Sequence, residues 1–449
     1  MNKIKNLSEG SFLNLLFAFF AAAFLIAAVC MPDRSKMFSD LWQILAQPSK
    51  VSTNYFAVGG YAATFLNMSL VTLCCLGLFL LFKGTPNNAS TLAVLLTAGF
   101  ASWGINILNI WPSIFGVMIY CLVKKEKFGA NVNAMLFSTG IAPLITDLLI
   151  RYPHAEVIGF NLPGLGIALL VGFIIGFFLP AGLAHSPKVH KGFDLYSAAL
   201  PIGMTAFFLQ ATLYKTLGVA LPAAPDAALL QVASPVIVNT FCCVVFGLCI
   251  VFAFALGCKP KDYWQLLTDP ALVNNFSSTY GNATFLMNVG VYGLFILGYY
   301  NLVGATFNGV TFGLIFCMLA CCNSGSHPGN VWPIMLGYVV SSFVFGWLST
   351  LVGGTFTGAA NAQAIVVGLC YANGLSPIAD KYGWRYGFLA AVLHYLLVTS
   401  VPSLHGGYCL YNGGFTAALI CLILVPELER FFKTKKERRE ARLPQSETK

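Results

Sequence analysis

Apolar runs of about 20 residues, long enough to cross a ~30 Å hydrocarbon layer as helices, follow one another along the whole chain. Seven such segments are predicted in the first half, at 11–31, 55–82, 89–104, 107–123, 132–150, 162–184 and 195–217. Seven more are predicted in the second, at 233–258, 278–302, 309–322, 331–351, 360–379, 384–402 and 408–426. No polar stretch between them is long enough to fold as a separate soluble domain. Short amphipathic stretches around Trp42 and Trp264 follow the first segment of each half, which places them in the interfacial layer that favours tryptophan. Two segments make poor full spans. The 309–322 run is short and ends in Asn323-Ser-Gly-Ser-His-Pro-Gly-Asn330, and 131–150 contains Asn133, Ser138, Thr139, Gly140 and Pro143. Irregular backbone survives at membrane depth only where protein or a water-filled cavity covers it, so both are candidate broken or re-entrant helices.

The pattern is a duplication. Asp40-Leu-Trp-Gln-Ile-Leu-Ala-Gln-Pro48 returns as Asp262-Tyr-Trp-Gln-Leu-Leu-Thr-Asp-Pro270, and Ala63-Thr-Phe-Leu66 returns as Ala283-Thr-Phe-Leu286. Asn109-Ile-Trp-Pro112 matches Asn330-Val-Trp-Pro333, and Gly192-Phe-Asp-Leu-Tyr196 matches Gly407-Tyr-Cys-Leu-Tyr411. Gly140-Ile-Ala-Pro143, followed by Asp147, is matched with Gly374-Leu-Ser-Pro377, followed by Asp380. The repeat is far too long for a solenoid and points to a two-halved transporter or channel. It divides the chain into a first repeat (1–222), a second repeat (223–428) and a basic tail (429–449). The first apolar segment has its counterpart in mid-chain, so it reads as a retained span rather than a signal peptide.

Composition agrees. With 57% hydrophobic and 9% charged residues and a mean hydropathy of +0.76, the chain is expected to be an all-α polytopic membrane protein. Seven crossings per half, an odd number, would invert the second half relative to the first. With the N-terminus inside, that arrangement puts 20 Lys and Arg on the cytoplasmic side against five opposite. Making 132–150 and 360–379 re-entrant gives parallel halves and 18 against seven, so the inverted repeat is favoured, with both termini cytoplasmic. The net charge of +9 owes much to eight basic residues in 430–449, which fit cytoplasmic retention and come with no nucleic-acid motif. The fourteen cysteines lie mostly in apolar runs and read as packing residues, with no metal-binding spacing.

Candidate chemistry clusters at the duplicated Gly/Pro pairs. Gly140 with Pro143, and Gly374 with Pro377, would break a helix and offer polar ends to a solute; the structural alternative is a packing kink. Asp147 and Asp380 follow, and a carboxylate at membrane depth is a functional candidate by default. Arg151 and Lys381 stand close by, so ion pairs at helix ends are the competing account. Asn131 and Asn133 in one half, and Asn361, Gln363 and Asn373 in the other, complete an amide-rich set suited to neutral or weakly charged solutes, although amides also join helices. Together these residues form the expected substrate site, with 131–147 and 361–380 facing each other across one cavity. His327, His405, Tyr196 and Tyr411 are assigned to a gate or proton relay, against the alternative of solvated loop or capping residues.

The chain carries no P-loop, no Gly-x-Ser-x-Gly elbow and no His-Glu-x-x-His, which argues against ATP-driven pumping and hydrolytic chemistry. The phrases Asn330-Val-Trp-Pro-Ile-Met-Leu-Gly337 and His405-Gly-Gly-Tyr-Cys-Leu-Tyr-Asn-Gly-Gly414, set in a duplicated polytopic chain, resemble the domain of unknown function 1576 family of duplicated bacterial multi-pass membrane proteins. The resemblance implies a bacterial cell membrane and brings no activity with it. Inverted halves with short Gly/Pro-broken segments are similar, at fold level only, to urea-channel architecture. The expected function is a transporter or permease for a small solute, with a passive channel for a neutral solute or a membrane scaffold as alternatives. It is not expected to be an enzyme, and no cofactor or metal is expected. The partners are the lipid bilayer and a small solute, without nucleic acid; homo-oligomerisation is left open.

Overall fold

A computed structural model describes residues 7–48, 50, 53–154, 158–223, 233–269 and 275–441. Part of the predicted junction between the repeats (224–232) and the end of the basic tail (442–449) lie outside them. Among the described residues every regular element is helical. The first repeat comprises α1 (Glu9–Cys30), the amphipathic α2 (Met37–Ala46), α3 (Tyr55–Leu81), α4 (Asn88–Phe100), α5 (Trp111–Lys124), α6 (Val132–Ser138), α7 (Ala142–Ile150), α8 (Leu162–His190) and α9 (Ala199–Gln210). The second runs through α10 (Pro235–Ala255), α11 (Pro260–Thr268), α12 (Phe276–Tyr280), α13 (Asn282–Leu302), α14 (Gly309–Leu319), α15 (Pro328–Leu351), α16 (Gln363–Ala372), α17 (Ser376–Tyr382), α18 (Trp384–Val398), α19 (Val401–Leu404), α20 (Asn412–Phe431) and α21 (Lys435–Glu440). Seven of these helical stretches are individually long and apolar enough to cross a bilayer.

The duplication is visible in local chemistry. Asn87 caps α4 by accepting the Ser90 amide at 3.2 Å, and Asn308 caps α14 by accepting the Thr311 amide at 2.9 Å. A left-handed glycine bends the second column of each repeat near its start, Gly60 at φ 72° and Gly281 at φ 83°. Helix pairing follows the same rule in both halves: α1 packs on α3 as α10 packs on α13, and α5 on α8 as α15 on α18. In the α5–α8 seam Gly116 meets the backbone of Gly172 and Gly176, a close approach of the small-xxx-small kind that holds helices together in lipid.

Equivalent helices meet head to tail. Along α1 and α10, Phe24 stacks on Phe241 (5.6 Å) while Phe19 meets Phe252 (6.3 Å), so the two run antiparallel. Beyond the end of α4, the Ser102 hydroxyl donates to the Gly309 carbonyl at the start of α14 (2.6 Å). At the other end of the pair, Asn323 donates to Thr91 (3.2 Å). A two-fold relation that reverses neighbouring columns has its axis across them, in the bilayer plane, which makes the repeats inverted.

The short apolar helices pair with their successors. Residues 82–84, before α4, touch 128–129, after α5, with the Phe82 and Phe128 rings 5.1 Å apart. Thus α4 and α5 form a hairpin that enters and leaves at one end of the bundle. In the second repeat Asn308, which starts α14, donates to Gln363 at the start of α16 (2.7 Å), so α14 and α15 do the same. The suspected breaks at Gly140 and Gly374 are instead single 3-10 turns, Thr139–Ile141 and Asn373–Leu375, inside continuous columns. Outside the hairpins the columns of each repeat are α1, α3, α6–α7, α8 and α9, and their counterparts α10, α12–α13, α16–α17, α18 and α20, and a hairpin adds an even number of passes. The number stays odd, and the inversion expected from charge holds.

The first arms of the two hairpins, α4 and α14, lie at the core. Every residue from Ser90 to Phe100 and from Gly309 to Leu319 is buried, and Gly99 and Gly313 bring the two backbones together. Their irregular tips are satisfied by duplicated amides. Asn67 donates to Ala101 (2.7 Å) and Ile105 (2.9 Å), as Asn288 does to Cys322 (2.9 Å) and Ser326 (3.0 Å). Asn109 and Asn330 donate to Gly104 (3.0 Å) and Gly325 (2.7 Å). These asparagines supply the donors that water cannot supply at that depth.

Candidate functional site

Each 3-10 turn is closed by the opposite repeat. The Gly140 carbonyl accepts the Leu410 amide (2.9 Å), and the Gly374 carbonyl accepts the Leu195 amide (3.0 Å). The Tyr411 ring lies where a Cβ on residue 140 would stand, and Tyr196 does the same at residue 374. Glycine is required there because the other half's aromatic ring occupies the side-chain space. Tyr196 places its hydroxyl 2.9 Å from the Cys317 carbonyl and 3.1 Å from that of Cys370, and accepts Asn373 at 3.2 Å. Asn373 in turn accepts the Tyr292 hydroxyl at 2.8 Å. Tyr196, Tyr411 and Asn373 are thus wedges and clasps between the repeats, all fully buried.

The inverted repeat acts as an internal control: features at both equivalent positions serve the architecture, while one-sided features are not demanded by it. The asparagine contacts set the register. Asn109 donates to Thr146 (2.9 Å) where Asn330 donates to Asp380 (2.6 Å), so Asp380 stands in the place of Thr146, and Asp147 in that of Lys381. The one-sided groups are then Asp147, Asp380, Asp194 (opposite Cys409), Tyr408 (opposite Phe193) and His327 (opposite Asn106).

Asp147 lies at the end of the bundle away from the described termini. Its carboxylate is 1% exposed, pairs with Arg151 through one oxygen, and accepts the hydroxyls of Tyr214 (2.9 Å) and Tyr408 (2.8 Å) on the other. The two phenol rings stack at 5.8 Å. Lys50, in the link before α3, lays its ammonium 5.1 Å from the Tyr408 ring centre and donates to the Pro222 carbonyl (2.5 Å). Burial pulls the Lys50 amine down to about 8, with Asp147 opposing and Arg151 reinforcing the shift. Two cations thus face one carboxylate. The expected Asp147–Arg151 ion pair is present. The Asp380–Lys381 pair is replaced by Asp380 with Asn330 and by Lys381 over the Phe193 ring at 4.8 Å.

The remaining predicted residues are dispersed. Asn131 bonds Glu126 (2.9 Å), and Asn133 contacts Asn87 at the foot of the first hairpin beside a cavity of about 790 Å³. Asn361 is exposed and Gln363 holds Asn308. Pro143 and Pro377 are buried within the first turns of α7 and α17. His327 accepts the Gly329 amide (3.1 Å) as the cap of α15, and His405 sets its ring against Phe415 at 5.3 Å. The expected arrangement of 131–147 facing 361–380 across one cavity is not what the fold builds: α6 packs on α4, α5 and α8, and α16 on α14, α18 and α20. Sequence reasoning passed over Lys50, Tyr214, Tyr408 and Asp194. Asp194 and Tyr408 were signalled by the mismatches inside the repeated phrase Gly192–Tyr196 and Gly407–Tyr411.

Buried helices, inverted halves and interlocked hairpins define a polytopic all-α membrane protein built from two related units. The chain belongs to the family described as Protein of unknown function (DUF1576), whose model matches residues 33–215 and 259–430. The matched segments begin just after α1 and just after α10, at corresponding points of the two repeats. Neither the curated proteins nor the solved structures give a match.

Proposed function

We propose that the protein is a transporter for a small solute, with its site along the interface of the two repeats where the Gly140 and Gly374 turns meet the opposite half. The observation that carries this reading is the one-sided placement of Asp147, Asp194 and Asp380 in an inverted repeat. Buried carboxylates are costly, and Lys381, Cys409 and Thr146 fill the same backbone positions in the other half, so the architecture does not require these acids. Inverted repeats around a shared interface are the usual basis of alternating access. The packed centre, where Tyr196, Tyr411 and Tyr371 are all buried, suits an occluded carrier better than a standing pore. The end holding both described termini also collects Lys83, Lys124, Lys125, Lys127, Lys188, Lys191, Lys259 and Lys261, and in this reading faces the cytoplasm of a bacterial cell.

The test is flux. Purified protein is screened by thermal shift against a panel of small metabolites, and stabilising compounds are followed into proteoliposomes with and without a proton or sodium gradient. Saturable, gradient-dependent accumulation is expected. Non-saturating flux indifferent to the gradient would move the assignment to a passive channel, and neither flux nor stabilisation across the panel would leave a scaffold.

A further inference from the structure

Asp194 lies in the link between α8 and α9 and is 2% exposed. One carboxylate oxygen accepts the Tyr196 amide (2.9 Å); the other has no hydrogen-bond partner. Among the described residues no ion pair reaches it. Lys191 is paired with Glu429, and Lys381 sits over the neighbouring Phe193 ring. Among the described residues its neighbours are His190, whose Nδ1 accepts the Asp194 amide (3.4 Å), Tyr196 from its own link, Gly374 from the 3-10 turn, Cys321 beyond α14 and Cys421 on α20. An isolated carboxylate in such a place costs several kcal/mol or more, and the cost is removed by taking up a proton.

The fold does not ask for this acid. At the equivalent position Cys409 supports the same link, with Leu410 bonded to Gly140 as Leu195 is bonded to Gly374. Moreover, Asp194 sits beside the contact that joins the repeats at the Gly374 turn, so its charge state and that contact are linked. Ionisation at this spot would require water or a cation, and the next residue, Leu195, makes the bond that closes the Gly374 turn.

We propose that Asp194 is the proton-coupling site of this protein, held as the neutral acid while the Leu195–Gly374 contact is closed and ionised when that contact opens. On opening, the carboxylic O–H bond breaks, the proton passes to water and the carboxylate remains solvated until it is reprotonated. The role in coupling rests on the transporter reading above; the protonation state does not.

Infrared difference spectroscopy of the protein in lipid, titrated with pH, reads the site without any substrate. At neutral pH the wild type should show the carbonyl stretch of a protonated carboxyl that is lost in Asp194→Asn and in Asp194→Cys and retained in Asp147→Asn. The cysteine variant copies what the second repeat carries and guards against a folding defect in the asparagine variant. An unchanged band in both Asp194 variants would overturn the proposal. For a substrate found by the flux screen, Asp194→Asn should abolish proton-driven accumulation while leaving solute exchange. Loss of the band without any flux in the wild type would sink the transporter reading and the coupling role while leaving the neutral acid in place. Proton-driven accumulation undiminished in Asp194→Asn would sink the coupling role alone.

Discussion

Replacing Asp147 by Asn tests whether the cluster at the far end is a connected unit. The carboxylate is 1% exposed and serves three donors, Arg151, Tyr214 and Tyr408. Asparagine keeps the shape but offers one acceptor and one N–H₂ donor. If its oxygen faces the phenols, its amino group faces the Arg151 guanidinium, donor against donor. Breaking a buried pair from one side typically costs about 3–5 kcal/mol, because the remaining charge is left without compensation. With Arg151 12% exposed, water relieves part of that, and a loss near 3 kcal/mol is expected. Adding Arg151→Gln removes the stranded charge and lets one amide face another, so the double variant should recover about 2 kcal/mol relative to the sum of the single losses. The measurement is unfolding in mixed micelles titrated with denaturing detergent, on all four members of the cycle. Strict additivity, or a loss under about 1 kcal/mol for Asp147→Asn, would mean that the pair is solvated and the cluster is not a unit.

Three further outcomes follow from the same geometry. Gly140→Ala should destabilise by about 1–3 kcal/mol because the added methyl falls on the Tyr411 ring, and Tyr411→Leu in the same chain should return part of the loss; a neutral Gly140→Ala in thermal melts would contradict the wedge. Reporter fusions after Lys127 and after Gly353 should lie on opposite sides of the membrane, since they follow hairpins that enter from opposite ends, and a shared side would refute the inversion. Lys50→Met should raise the melting temperature at neutral pH, where the native amine is charged and partly desolvated. Because the native amine loses its proton near pH 8 while the unfolded one keeps it to about 10.5, the gain should fade across that window; a gain independent of pH would point to packing instead.

Much of this architecture is legible in one dimension. Hydropathy marks where a helix can be buried in lipid, because partitioning is a property of the local side chains. The duplicated phrases located the asparagines and glycines that both halves share, and an odd number of crossings with skewed charge favoured inversion. Spacing to the nearest acid pairs Asp147 with Asp380, one residue out of register. In the structure the Asn109–Thr146 and Asn330–Asp380 contacts settle it.

Two matters were beyond the sequence. An apolar helix of 13 residues, such as α4, has the same hydropathy whatever it packs on, so its pairing with α14 emerges only from the contacts of Ser102 with Gly309 and of Asn323 with Thr91. A Gly-x-x-Pro phrase likewise frees a carbonyl without saying what will bind it. Here the donor comes from the other repeat, more than 170 residues away along the chain, through Leu410 and Leu195, and the kinks tighten into 3-10 turns instead of opening. Partition free energy is local and additive, so the sequence by itself determined the spans, the duplication and the paired polar residues. Hydrogen-bond closure and ring packing between halves are not local, and so only the tertiary structure decided that each kink is closed by the other repeat, that Tyr196 and Tyr411 wedge them, and that Asp194 is left with an unpaired oxygen.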